Sequence, residues 1–257
     1  MKISRKRFLQ IAGAGALAGA GGKLACALAE IAAETGANPA QASTAGRLAM
    51  VIDLSLCVQK EGCTQCMDAC HQAHNVPHIG AEAHRIQWIW KTSYHSAFPS
   101  EEGEYQVERL KNAPVPVFCN HCDNPPCVRV CPTQATWKRE DGIVMMDWHR
   151  CIGCRYCMAA CPYGSRSFNW VDPRPFLPVQ NPDFPTRTKG VVEKCNFCES
   201  RIGNGGMPAC VQACPQEAMK FGDLNDPNSP LRELLRTRFT VRRRPELGTS
   251  PMIYYIV

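Results

Sequence analysis

The sequence predicts an α+β fold built from repeated short units, each a strand, a cysteine-bearing loop, a short helix and a second strand. Three observations predict it. Sixteen of the seventeen cysteines in 257 residues fall into four quartets, at 57–70, 119–131, 151–161 and 195–214. Apolar runs precede the first and third quartets, Met50-Val51-Ile52 and Ile143-Val144-Met145-Met146, and Asp53 or Asp147 then stands four positions ahead of the first cysteine. Between the second and third quartets, Ala135 to Arg139, the turn Glu140-Asp141-Gly142, and Ile143 to Asp147 read as a hairpin. The chain is long enough for one large domain or two modest ones around a real core.

The N-terminal element is an export signal over residues 1–29. A basic head is followed by an apolar stretch from Phe8 to about Gly22 and then small residues. That stretch is Gly- and Ala-rich and too short for a membrane span. Ser4-Arg5-Lys6-Arg7-Phe8-Leu9-Gln10 resembles the twin-arginine signal, with Lys6 where the second arginine is usual. Ala25-Cys26-Ala27 and Ala27-Leu28-Ala29 are candidate cleavage points, and Lys23 makes a poor lipoprotein box before Cys26. Residues 30–46 read as a linker. The signal also explains most of the formal charge of +6. Without Lys2, Arg5, Lys6, Arg7 and Lys23, 24 basic residues face 23 acidic ones, so composition gives no support to nucleic-acid binding.

The first quartet is Cys57-Val-Gln-Lys-Glu-Gly-Cys63-Thr-Gln-Cys66-Met-Asp-Ala-Cys70, followed by His71. The second, Cys119-Asn-His-Cys122-Asp-Asn-Pro-Pro-Cys127-Val-Arg-Val-Cys131-Pro132, has two extra residues before its third cysteine. The third, Cys151-Ile-Gly-Cys154-Arg-Tyr-Cys157-Met-Ala-Ala-Cys161-Pro162, has the C-x2-C-x2-C-x3-C-P spacing of bacterial ferredoxins. The fourth is Cys195-Asn-Phe-Cys198, eleven residues, then Cys210-Val-Gln-Ala-Cys214-Pro215. The spacing has a mechanical basis: one tight loop presents three thiolates to three corners of a 4Fe-4S cube, and the fourth cysteine, a helical turn on, faces a second cluster. All sixteen cysteines are therefore candidate metal ligands, for four 4Fe-4S clusters. Two other readings use the same residues. An oxidising compartment and an even cysteine count allow a disulfide scaffold, although such scaffolds are small. Zinc ribbons also use C-x2-C, but leave the middle one of Cys151, Cys154 and Cys157 without a role.

From Arg47 to the end the chain resembles the four-cluster ferredoxin-like subunits of the complex-iron-sulfur respiratory enzymes. The resemblance includes Pro245-Glu246-Leu247-Gly248-Thr249-Ser250-Pro251 and Tyr254-Tyr255. More narrowly, Cys70-His-Gln-Ala-His-Asn-Val-Pro-His78, Trp88-Ile-Trp90-Lys91, Cys119 to Cys127 and Phe184-Pro-Thr-Arg-Thr-Lys-Gly190 resemble the DsrO subunits of DsrMKJOP membrane complexes. The family likeness implies tandem bacterial 2x(4Fe-4S) ferredoxin-like modules with loop insertions, in a domain over 47–257. An outer module would comprise 47–112 and 191–225, an inner module 113–170. A Pro-rich connector over 171–190 and a C-terminal tail over 226–257 complete the division. The same likeness implies the ligand sets. Cluster 1 would take Cys57, Cys63, Cys66 and Cys214; cluster 2, Cys195, Cys198, Cys210 and Cys70. Cluster 3 would take Cys119, Cys122, Cys127 and Cys161; cluster 4, Cys151, Cys154, Cys157 and Cys131.

The implied role is non-catalytic electron relay on the extracytoplasmic (periplasmic) face of the cytoplasmic membrane, in a complex linked to dissimilatory sulfite reduction or sulfur oxidation. The implied partners are an NrfD-like integral membrane subunit (DsrP-like), a multihaem cytochrome c (DsrJ-like) and the other Dsr subunits. A molybdopterin polysulfide- or tetrathionate-type reductase is the alternative host. No Ser-His-Asp set, phosphate loop or dinucleotide glycine pattern points to a substrate-transforming site. No apolar run in 231–257 is long enough to span a bilayer, so a partner is expected to hold the chain there. Arg232, Arg236, Arg238 and Arg242 to Arg244 are either a contact for that partner or for headgroups, or a solvated basic tail. His71, His74, His78 and His84 read as hydrogen-bonding residues, since cysteines complete every cluster, and Trp88 and Trp90 as anchors of a docking surface. Five prolines between 173 and 185 deny regular helix and predict a surface connector.

Overall fold

The computed structural model describes residues 46–101, 110 and 113–257. The export signal, Cys26 and all of the linker but Gly46 lie outside the described residues. The described chain is α+β, with strands β1 (Leu48–Asp53), β2 (Ile89–Ser93), β3 (Pro114–Phe118), β4 (Thr136–Lys138), β5 (Val144–Met146), β6 (Ser167–Phe168), β7 (Val192–Glu193), β8 (Met219–Asp223), β9 (Thr240–Val241) and β10 (Ile253–Ile256). Its α-helices are α1 (Leu54–Cys57), α2 (Gln65–Ala73), α3 (Tyr94–Ala97), α4 (Pro126–Arg129), α5 (Tyr156–Ala159), α6 (Glu199–Gly203), α7 (Ala209–Gln212) and α8 (Pro230–Thr237).

Every quartet lies between two strands, and the strands pair so that the quartets are joined in a ring. Antiparallel β4 and β5 form the expected hairpin between the second and third quartets, with Trp137 opposite Met145. Antiparallel β2 and β3 link the first quartet to the second, and β6 and β7 link the third to the fourth. β1 and β8 close the ring, pairing Met50 with Phe221 and thereby bringing the first quartet beside the fourth.

The closing sheet has the order β8-β1-β10-β9, with β10 parallel to β1. Side chains alternate across a strand, and here both faces are covered. Met50, Ile52, Ile253 and Tyr255 enter the main core, whereas Ala49, Val51 and Ile256 pack under Leu231 of α8. Burial on both faces is why β1 reads as an unbroken apolar run instead of an alternating one. Residues 226–257 are consequently not a tail: α8 roofs the sheet and β10 lies inside it.

The arginines expected on that tail are largely tied to the fold. Arg243 is buried, its guanidinium 5.4 Å from the Tyr163 ring centre. Arg242 lies over Tyr254, Arg244 donates to the Pro162 carbonyl, and Arg238 pairs with Asp53 at 3.6 Å. Arg236 remains exposed and Arg232 half-buried.

Two further expectations are corrected. Trp88 is not a docking anchor, since it is 1% exposed, stacks on His74 and donates its indole N–H to Glu193 at 2.9 Å. Trp90 is half-buried against the same core. The proline-rich stretch 171–190 is not merely draped on the surface. It carries Phe184 and Arg187 into the interior, and Asn181 exchanges hydrogen bonds with Asn75. Prolines deny helix, but they do not prevent a strap from burying its side chains. No helix of the described residues is long and apolar enough to cross a membrane.

Candidate functional site

The loops that carry the cysteines share a local construction. Asp53 caps α1, accepting from the Leu56 amide at 3.2 Å, and Asp147 accepts from the amides of His149 and Arg150 at 2.8 and 3.4 Å. Each aspartate thus fixes the turn that delivers the first cysteine of its quartet. In three of the C-x2-C pairs the residue before the second cysteine is left-handed: His121, Gly153 and Phe197 have φ of 40°, 71° and 59°. That turn is uncommon for residues other than glycine and points successive amides to one side. Gly153 is constrained twice, because a Cβ there would lie 2.5 Å from the Gly190 carbonyl oxygen.

Proline sets where the helices stop. α4, α5 and α7 end before Cys131, Cys161 and Cys214, each of which precedes a proline and so disfavours helical backbone. His71 replaces that proline after Cys70, and α2 runs on to Ala73. The five residues between Cys57 and Cys63 form an open loop in which Gln59, Lys60, Glu61 and Gly62 are exposed, and Lys91 donates to the Cys63 carbonyl at its end.

The sixteen cysteines at 57–214 are free thiols, and they gather in four places. One cavity is lined by Cys119, Cys122, Cys127 and Cys161, and another by Cys131, Cys151, Cys154 and Cys157. Burial, then repulsion from Cys57, Cys63 and Cys214, pushes Cys66 up to about 11. Burial, then repulsion from Cys195, Cys210 and Cys198, raises Cys70 well above the ordinary thiol range. Neighbouring groups adjoin. Cys66 and Cys70 are one turn apart on α2; Cys195, held at about 12 by burial, feels Cys119 most strongly among the surrounding charges; Arg166 acts on both Cys127 and Cys157.

Four thiolates gathered at one cavity would repel one another, so the donor sets call for a strongly positive group. Among the described residues no three His, Cys, Asp or Glu side chains converge as one bound ion would require. Separated thiols around a cavity suit a cube that takes one ligand at each corner better than they suit tetrahedral zinc. An orphaned group fits the same occupant: the Asn120 amide, which lines the Cys119 cavity, is buried with neither its nitrogen nor its oxygen partnered. The residues present therefore fit an iron-sulfur cluster, whose chemistry is the reversible uptake of one electron.

Of the four histidines singled out above, His74 comes nearest these groups, its Nδ1 3.9 Å from Cys70 Sγ. His74 Nδ1 donates to the Cys70 carbonyl at 3.0 Å, and burial drops its pKa to about 4, which keeps the ring neutral between Trp88 and Phe184. His78 and His84 lie toward the surface; His71 is half-buried, and burial lowers its pKa. Sequence reasoning missed three buried cations. Arg187 pairs with Glu193, Lys194 donates to the carbonyls of Val144 and Cys195, and Arg166 donates to Cys127 Sγ at 3.1 Å. Only their proximity to the cysteine loops could have marked Lys194 and Arg166.

Residues 111–224 match the family model of the 4Fe-4S dicluster domain. The iron-sulfur subunit 1 of an Hdr-like menaquinol oxidoreductase from Archaeoglobus fulgidus is 40% identical, over 98% of this chain and 97% of that one. This chain is a 4Fe-4S electron-transfer subunit of that family. Other members include a tetrathionate reductase subunit of Salmonella typhimurium, 38% identical over 82% of this chain and 72% of that one. The NrfC protein of Escherichia coli is 39% identical, over 82% and 80%.

Proposed function

We propose that this subunit relays electrons through four 4Fe-4S clusters between a quinone-interacting membrane subunit and a further redox subunit of a respiratory complex. Clusters 1 to 4 take the ligand sets given above, in two tandem modules, one built from both ends of the domain and one from its middle. The observation that carries this reading is the adjacency of the four thiol groups. Cys66 leads to Cys70, Cys195 to Cys119, and Cys127 to Cys157, so the groups form a series with two ends. Closely spaced centres let electrons hop where one long jump would be slow.

The ends differ from the middle in the way a relay requires. In each end group three of the four cysteines are half-buried, Cys57, Cys63 and Cys214 at one end and Cys131, Cys151 and Cys154 at the other. In each inner group three are buried. Beside the second end Ile152 and Tyr156 are 67% and 62% exposed, which suits a face covered by a partner. An NrfD-like membrane subunit and a multihaem cytochrome c fit these roles, on the extracytoplasmic side after export of the folded chain by the twin-arginine route.

The near-full-length likeness to a menaquinol oxidoreductase subunit favours a quinone-linked host, and within that class the DsrO-like motifs favour the Dsr sulfur complex. The likeness to a tetrathionate reductase subunit supports the molybdopterin host as a second reading. Adding a menaquinol to anaerobic membranes that contain the complex tests the proposal. The clusters of this subunit should become reduced, as read by electron paramagnetic resonance (EPR), and removal of the membrane partner should abolish that reduction. Clusters that no quinol reduces and no partner oxidises would contradict the relay.

A further inference from the structure

Two buried cations adjoin the Cys119, Cys122, Cys127 and Cys161 group. Arg166, 4% exposed, lines the cavity and donates from Nη2 to Cys127 Sγ at 3.1 Å and to Thr136 Oγ1 at 2.8 Å. Lys194, 1% exposed, donates to the carbonyl of Val144, which lines the same cavity, and to the Cys195 carbonyl at 2.7 Å. Neither is paired with a carboxylate among the described residues. Contrast Arg187, equally buried, which has Glu193 at 2.6 Å. A buried cation without a carboxylate is costly unless another negative group compensates it. The groups in reach that could supply that charge are cysteine sulfurs once they ligate a cluster: Arg166 Nη2 is 3.1 Å from Cys127 Sγ, and Lys194 adjoins Cys195 in the chain and bonds a carbonyl of the Cys119 cavity.

Each cation also stands at a joint of the series. Arg166 hydrogen-bonds into the groups of both Cys127 and Cys157, and Lys194 bonds the carbonyls of Val144, at the Cys119 cavity, and of Cys195. The group shared by both is the one with Cys119. Transfer of one electron along the relay adds one negative charge to the receiving centre and removes one from its donor. A fixed positive charge beside a centre stabilises its reduced form more than its oxidised form and raises its potential.

Resting on the four-cluster reading, we infer that Arg166 and Lys194 are potential-setting residues that make the centre held by Cys119, Cys122, Cys127 and Cys161 a site of raised potential inside the relay. Both act through charge and hydrogen bonding from outside the ligand set. The interior of the series then holds an electron more readily than either neutral substitution would allow.

The test is an EPR-monitored redox titration of the full chain, purified anaerobically with its clusters, for wild type, Arg166→Gln, Lys194→Gln and the double variant. Iron content shows that the centres remain assembled. Arg166→Gln should shift two midpoints downward, Lys194→Gln should shift two downward, and one centre only should be common to both pairs. In the double variant that shared centre should move furthest, by about the sum of its single shifts. Arg166→Lys, which keeps the charge, should retain iron and move the same two centres by less than Arg166→Gln. Should Arg166→Gln not assemble, Lys194→Gln and Arg166→Lys still decide. No shift in Lys194→Gln, or one as large in Arg166→Lys as a neutral residue gives elsewhere in the set, overturns the inference. Equal movement of all four centres also overturns it, as a general disturbance of the fold. Loss of four-centre behaviour in the wild-type chain would instead remove the reading beneath it.

Discussion

Arg187 and Glu193 form an ion pair with no exposed side-chain surface on either partner, Nη2 to Oε2 at 2.6 Å. The arginine comes from the strap 171–190 and the glutamate from β7, so the pair ties an irregular segment to the frame. Trp88, Trp148 and Phe184 surround the guanidinium at 5.4, 5.5 and 5.8 Å, and Glu193 also accepts from Trp88 and from Asn169. Glu193→Gln should destabilise the chain by about 3–5 kcal/mol, because it strands a buried charge. Arg187→Met combined with Glu193→Gln should cost less than the two single changes added together. Anaerobic thermal unfolding of the four proteins measures this, and strict additivity would show that the pair does not act as a unit.

The ring of strands predicts which cysteine substitutions behave alike. Cys57→Ser and Cys214→Ser, 157 positions apart in the sequence, should disturb the same EPR signal, and Cys70→Ser should disturb that of Cys195→Ser. Cys70 and Cys66, one turn apart, should disturb different signals. If signals instead group by quartet along the sequence, the crossing of fourth ligands is wrong.

Much of this site was legible in the sequence because cysteine spacing and the residues around it are local. Asp53 and Asp147 announced the turn before the first cysteine of their quartets, and Glu140-Asp141-Gly142 marked the hairpin, since a turn needs only neighbours. What escaped depended on distant partners. Nothing near Arg187 in the chain announces Trp88 and Trp148 around it, 99 and 39 positions earlier. Trp88 read as a surface anchor because its cover comes from Phe184, 96 positions later. The run ending in Tyr255 and Ile256 looked like a tail because β10 pairs with β1, from the opposite end of the described chain.

The loop between Cys57 and Cys63 should tolerate shortening. Deleting Gln59, Lys60 and Glu61, all exposed, removes no buried contact. Iron content should be unchanged, and any effect should fall on one terminal centre or on partner docking. Loss of iron would show that Cys57 is not the first ligand.

Acid should weaken the fold through His74. Its folded pKa of about 4 lies below the ordinary value of 6.5, so between these values the unfolded chain binds the proton that the folded chain refuses. Stability should therefore fall as pH drops from 6.5 toward 4, with a contribution on the order of 3 kcal/mol, and this term should level off below that. His74→Phe keeps a ring against Trp88 and Phe184 and should remove this part of the slope. An unchanged slope in anaerobic denaturation would place the titration elsewhere.

Whether sixteen thiols hold four clusters in one chain is decided by the metal content of anaerobically purified protein together with EPR of its reduced form. Four clusters require about sixteen non-haem irons per chain, an equal amount of acid-labile sulfide, and four one-electron centres. Zinc without iron, or iron for only two clusters with all sixteen cysteines intact, would contradict it.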